Sequence, residues 1–237
     1  MSKILISGYY GFANAGDEAM LTAIIESLRQ VEKNVELTVL SGNPEDTAAK
    51  HQVCSVYRFN PLGIIRTMKD SELIISGGGS LLQDVTSKRS LLYYLSIIGL
   101  GKFFGKKVML FAQGIGPIRA KWARKLTSLV CNEADLITVR DSESAAELIE
   151  MGVKPEKITV TADSVLSLNP VTKECGQYLL QEAGVDLTKP VIGISVRPWS
   201  GDSQCFQVLA EAASKFAAEC MGRMSDFVAA AVILVEL

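Results

Sequence analysis

Short apolar runs recur along the chain, and they alternate with stretches whose apolar residues fall at helical spacing. The runs sit at 3–7, 35–40, 71–76, 106–112, 135–139 and 157–160. That at 71–76 is uninterrupted at its centre, Leu73-Ile74-Ile75, as a strand buried on both faces of a parallel sheet should be. Helical periodicity covers 19–28, 61–68, 91–104, 120–132 and 142–151, the last stopped by Gly152 where a C′ glycine ends a helix. A weak helix over 45–51 and a short strand at 55–58 complete the series. Strands alternate with helices, which predicts an α/β fold with a parallel sheet.

After residue 168 the pattern changes. Residues 169–190 read as a polar, proline-bounded linker helix region, and the strand at 191–196 starts a second α/β domain. It continues through a helix over 207–220 and an apolar run over 227–237. A strand, a helix and part of a strand do not close a core, so this second domain is expected to be incomplete at Leu237.

The glycine-rich segments all fall at strand exits. Gly8, Gly11 and Gly16 have the spacing G-x-x-G-x-x-x-x-G, which is neither the dinucleotide fingerprint nor a P-loop. The same loop carries Asn14, Asp17 and Glu18 at the start of a helix, where backbone N–H groups point at a ligand. Glu18 reads as a first-turn carboxylate complementing the helix dipole. Asp17 sits where open α/β sheets bind ligands and would serve as a base or hydroxyl anchor. Gly77-Gly78-Gly79-Ser80-Leu81-Leu82-Gln83-Asp84 follows the strand at 71–76, and Gln113-Gly114-Ile115-Gly116-Pro117 follows that at 106–112. Three consecutive glycines suit either close approach of backbone to a ligand or tight strand-to-helix packing. One sheet edge is therefore expected to gather Asn14, Asp17, residues 77–84, Gln113, Arg140 and Asp163.

Composition narrows the classes. The 237 residues are 48% hydrophobic with a formal net charge of −2, and no basic stripe for nucleic acid or polybasic run for anionic lipid stands out. Cys54, Cys131, Cys175, Cys205 and Cys220 are scattered without a C-x-x-C pair, which suits reduced thiols in a cytoplasmic protein and suggests no metal site. The N-terminus runs straight into a strand and lacks the features of a signal peptide. The apolar stretch 91–100 is too short to span a bilayer, so any membrane contact is expected to be peripheral, at the inner face.

Five segments taken in order, Gly8 to Glu18, Ser76 to Ser87, Gln113 to Pro117, Val139-Arg140-Asp141-Ser142 and Ser195-Val196-Arg197-Pro198-Trp199, resemble the polysaccharide pyruvyl transferase family. The likeness is closest to the CsaB-type enzymes that modify bacterial cell-wall polysaccharide, and it covers the chain to about Cys220. It implies a GT-B-like fold of two Rossmann-like halves. It also implies transfer of the enolpyruvyl unit of phosphoenolpyruvate to a sugar, giving a pyruvate ketal, with phosphoenolpyruvate as co-substrate and no further cofactor. The partners it implies are phosphoenolpyruvate and a glycan or lipid-linked glycan acceptor.

The resemblance further implies roles. Arg140 and Arg197 are candidate phosphoenolpyruvate ligands, since a guanidinium fork donates bidentately to phosphate and carboxylate; a strand-end arginine also has the plain reading of a surface ion pair. Asp17 would engage the acceptor hydroxyl, with Gly11, Asn14, Gly16, Gly77, Gly78, Gly79, Gln83, Asp84 and Gln113 lining the acceptor groove. Trp199 would stack on a sugar face or pack at a domain interface. The resemblance also leads one to expect a longer second domain with a histidine and further basic residues. The sole histidine, His51, is expected in an exposed loop, and residues after Cys220 depart from the family, so weak or absent activity is expected of this polypeptide alone. A nucleotide-sugar glycosyltransferase and a non-catalytic sugar-phosphate binding module are the alternatives.

Overall fold

The computed structural model describes residues 2–188, 191 and 207–216, which fall into two compact units, Met1–Leu168 and Asn169–Leu237. The first contains eight parallel strands: β1 (Lys3–Tyr10), β2 (Glu36–Ser41), β3 (Cys54–Tyr57), β4 (Leu73–Ser76), β5 (Gly79–Leu82), β6 (Lys107–Ile115), β7 (Leu136–Val139) and β8 (Ile158–Val160). Their order is β3-β2-β1-β4-β6-β7-β8, with β5 pairing β6 beyond the end of β4. The sheet grows outward in both directions from the β1–β4 pair, so the topological switch point lies at the exits of those two strands.

Helices α1 (Ala15–Val31), α2 (Pro44–His51), α3 (Pro61–Asp70), α4 (Lys88–Phe103), α5 (Lys121–Glu133) and α6 (Ser142–Glu150) connect the strands. Alternation along β1 assigns its side chains to two cores. Ile4, Ile6 and Tyr10 pack with Leu21, Ile24 and Ile25 of α1, while Leu5 packs with Ile74, Leu110 and the buried face of α4. Full burial of one such aliphatic side chain is worth about 1.5–3 kcal/mol, which makes this two-sided core the main stabilising feature of the unit.

One expectation changes. The segment after β4 is not one long turn. The chain kinks at Gly77-Gly78 and resumes pairing as β5 through Gly79↔Gln113 and Leu82↔Ile115. Helix α4 buries Leu91, Tyr94, Leu95, Ile97 and Ile98 and exposes Leu92, Leu100 and Phe103.

In the second unit, α7 (Lys173–Glu182) is capped by Thr172, whose Oγ1 accepts from the Cys175 N–H at 3.3 Å, and residues 207–216 form a further helix. The strand expected over 191–196 lies outside the described residues except for Val191, and the apolar run 227–237 lies outside them entirely. No described helix is long and apolar enough to cross a membrane.

Candidate active site at the sheet's carboxyl edge

The loop after β1 is folded back on its own helix. Asn14 is the N-cap of α1, its Oδ1 accepting from the Asp17 N–H at 3.1 Å. Glu18 Oε1 accepts from the Gly11 N–H at 2.8 Å, and Glu18 Oε2 lies 3.0 Å from His51 Nε2. Glu18 is thus a brace between loop, α1 and α2. His51 is not an exposed loop residue: it ends α2 with only 9% of its side chain exposed, because Glu18 holds it against α1.

Arg58, 5% exposed, sits just past β3 with its guanidinium carbon 5.3 Å from the Phe12 ring and 4.4 Å from that of Tyr93. Phe12 in turn stacks on Tyr9 with centroids 4.4 Å apart. These cation–π and stacking contacts pin the loop through Phe12. Nothing in the sequence marks Arg58 for this role, since the rings around it come from separate segments.

Asp17 faces the glycine segment. Gly79 has φ +85°, and a Cβ placed on it would stand 3.2 Å from Asp17 Oδ1. Only glycine takes this backbone conformation without strain and lets the carboxylate lie so close to the chain. Beneath the same segment, Tyr10 is fully buried with an unpartnered hydroxyl, and a Cβ on Gly77 would fall 2.3 Å from that oxygen. Burial, reinforced by the charge of Asp17, raises the Tyr10 hydroxyl above its ordinary pKa and keeps it protonated. Gly78 packs against Met20 and Ser164.

Gln113 is fully buried, and its Nε2 donates to Ser76 Oγ at 2.7 Å, Ser76 O at 3.1 Å and Gly77 O at 3.2 Å. It holds the kink in place from β6 and does not line the edge. Arg140, just past β7, lies flat over Gly114, where a Cβ would come within 2.7 Å of its Nε. Its Nη1 contacts Asp163 Oδ2 at 3.2 Å, its Nε lies 3.5 Å from Asp141 Oδ2, and its Nη2 donates to Ser80 Oγ at 3.3 Å. The Arg140 side chain remains 34% exposed. Asp17 and Arg140 therefore lie against consecutive residues, Gly79 and Ser80. That juxtaposition offers a carboxylate, an oriented guanidinium and a hydroxyl beside the switch point.

Two residues expected in the groove are used locally instead. Asp84 accepts from the Arg119 N–H and the Ala120 N–H, both at 2.9 Å. It supplies the cap that α5 lacks from its own Ala120, and those two hydrogen bonds lower its carboxyl pKa. Gln83 Oε1 accepts from the N–H groups of Val85 and Thr86, both at 2.9 Å, and its Nε2 donates to Thr86 Oγ1 at 2.8 Å. Gly11 is engaged with Glu18 as described, and Gly16 lies exposed in the first turn of α1. Arg197 and Trp199 lie outside the described residues.

A groove of about 590 Å³ lies elsewhere, between α1 and the end of α2, lined by Glu18, Thr22, Arg29, Lys50 and His51. None of Asp17, Gly79 or Arg140 lines it, so concavity and candidate chemistry do not coincide, and the juxtaposition of functional groups is the better guide. Among the described residues no group of three or more His, Cys, Asp or Glu could hold a metal ion. Cys131 is buried, which pushes its thiol up to about 12, while Cys54 and Cys175 are exposed free thiols.

Among solved structures, the chain is similar to Anabaena Alr3699/HepE in complex with UDP and glucose, at 12% identity over 100% of this chain and 70% of that one, TM-score 0.59. It is also similar to UDP-GlcNAc 2-epimerase from Neisseria meningitidis bound to UDP-GlcNAc, at 13% identity over 99% and 66%, TM-score 0.55. A glycosyltransferase from Rickettsia africae matches at 14% identity over 92% of this chain and 58% of that one, TM-score 0.55. The chain thus spans 58% to 70% of the length of these proteins. At such identities the likeness establishes the fold, a GT-B-like, Rossmann-like α/β architecture. No curated protein sequence matches the chain. The family model for polysaccharide pyruvyl transferase matches residues 14–202, a span that holds Asp17, the triglycine segment, Arg140 and Arg197. The chain belongs to the polysaccharide pyruvyl transferase family.

Proposed function

We propose that this protein transfers the enolpyruvyl unit of phosphoenolpyruvate to two hydroxyls of a glycan acceptor, in the manner of CsaB-type enzymes. The placement of Asp17 and Arg140 against Gly79-Ser80 carries the reading within the family. In this reaction the methylene carbon of the donor is protonated, and a sugar hydroxyl adds to the cationic carbon so formed. Phosphate then leaves, and a second hydroxyl closes the ketal. Arg140 suits the donor's phosphate or carboxylate, since its fork is already oriented by Asp163 and Asp141 and its flat approach to Gly114 leaves one edge toward Ser80. Asp17 suits the hydroxyl, accepting its proton as the new C–O bond forms.

The two aspartates beside Arg140 offset its charge, so a donor that carries both a carboxylate and a phosphate needs more cations than the described residues of this edge provide. Arg197 is our candidate for one of them. We place the protein in the cytoplasm, where phosphoenolpyruvate is made.

The test is phosphate release from phosphoenolpyruvate in the presence of a diol-bearing cell-wall glycan, together with mass detection of the ketal. Asp17→Asn is expected to abolish release while leaving the thermal midpoint nearly unchanged; an unchanged rate removes Asp17 from the mechanism. A nucleotide-sugar glycosyltransferase is the second reading, favoured by the UDP-bound states of the structural neighbours. Hydrolysis or transfer from UDP-glucose with no response to phosphoenolpyruvate would favour it.

A further inference from the structure

Cationic residues are not spread evenly over the chain. Residues 88–125 contain nine lysines and arginines and no aspartate or glutamate, in a protein whose formal net charge is −2. Helices α4 and α5 carry most of these residues and pack side by side into the same core. Three of the nine are engaged with acids: Lys102 and Lys107 with Asp135, and Arg124 with Glu147 and Glu150. Lys88, Arg89, Arg119, Lys121 and Lys125 are exposed and form no ion pair among the described residues.

Large apolar side chains lie exposed on the outer faces of the same two helices. Leu92, Leu100 and Phe103 project from α4 with 42%, 37% and 80% exposure, and Trp122 and Leu129 from α5 with 47% and 59%. The amino ends of both helices are held together at the carboxyl edge of the sheet, because Asp84, just ahead of α4, caps the start of α5. Unpaired cations therefore flank Leu92 and Trp122 at the edge where the candidate active site lies.

We propose that the outer face of α4 and α5 docks on a bilayer surface rich in anionic phospholipid. The combination of lysine and arginine with exposed tryptophan, phenylalanine and leucine on one face is what interfacial binding requires: cations read the surface charge and the apolar groups enter the headgroup boundary. Nucleic acid would match the cations but not the five exposed apolar side chains. The proposal deepens the functional reading, since docking would bring the acceptor edge to a glycan carried on a lipid, but its test is independent of transfer.

The experiment is flotation of the whole protein with vesicles of phosphatidylcholine alone or with about a third phosphatidylglycerol, in the absence of donor and acceptor. Co-flotation is expected only with the anionic vesicles. Lys88→Glu, Arg89→Glu, Lys121→Glu and Lys125→Glu combined should lower the partition coefficient by roughly a hundredfold or more. In a Trp199→Phe background Trp122 is the single tryptophan, and its emission should shift to the blue on anionic vesicles. A thermal melt shows whether each variant is folded. Equal flotation on neutral and anionic vesicles, no flotation, or retention on DNA without vesicle binding would overturn the proposal. Vesicle binding by a protein inert toward phosphoenolpyruvate would uphold docking while removing the functional reading.

Discussion

The exits of β1 and β5 each carry a carboxylate just ahead of or within the next helix, Asp17 and Asp84, yet the two side chains are placed differently. At the β5 exit, Asp84 meets the orphan N–H groups of Arg119 and Ala120, because α5 starts on an alanine that cannot cap itself. At the β1 exit that task falls to Asn14, and the Asp17 side chain lies against Gly79 and near buried Tyr10. Where a carboxylate at a strand exit comes to lie thus depends on whether another group has already capped the nearby helix.

The largest effect that would break this contrast is on turnover. Asp17→Asn should lower pyruvyl transfer by about 10²–10⁴-fold, the range for loss of a general base, with little change in stability. Asp84→Asn, at the other exit, should leave turnover within about twofold.

Next come the glycines that let the two functional groups approach. Gly114→Ala places a methyl within 2.7 Å of Arg140 Nε and must push the guanidinium aside. Weaker donor use by about 10–100-fold is expected, read as a raised KM for phosphoenolpyruvate, because a displacement near 1 Å carries a cost of that order. Gly79→Ala should act on the Asp17 side and also strain the backbone at φ +85°.

Smaller still is the stability term at the β5 exit. Asp84→Ala should destabilise the protein by about 1–2 kcal/mol in a denaturant melt, since two helix-start N–H groups lose a charged acceptor. Smallest is Tyr10→Phe. The hydroxyl is buried and unpartnered, so its removal should leave stability at neutral pH within about 0.5 kcal/mol or raise it slightly. The folded pKa of Tyr10 is raised above 10.0, so the stability it contributes is complete below that pH and is lost as pH rises beyond it. Tyr10→Phe should therefore blunt alkaline unfolding.

The α/β alternation was legible because every strand except β5 is a distinct apolar or alternating run; β2, β7 and β8 read to within a residue, while β1 and β6 each run three residues further, into the segments read as turns. β5 escaped notice because Gly79-Ser80-Leu81-Leu82 looks like the tail of a glycine turn, and its pairing with β6 is a tertiary fact. Position at a strand exit brought Asp17, Gly79 and Arg140 into view. It could not separate them from Gln83, Asp84 and Gln113, whose hydrogen-bond partners lie in their own turn or in distant segments. His51 was misread for the same reason, since Glu18 is far from it in sequence.

The central claim is that Arg140, oriented beside Ser80 and over Gly114, binds phosphoenolpyruvate. Thermal melting with and without the donor tests it most directly. At a concentration near a hundred times Kd, phosphoenolpyruvate should stabilise the protein by about 2.7 kcal/mol, a shift of roughly 5–10 °C for a domain of this size. The shift should vanish in Arg140→Ala, and UDP-glucose should produce none in either protein. An equal shift in Arg140→Ala, or a shift with UDP-glucose alone, would contradict the account.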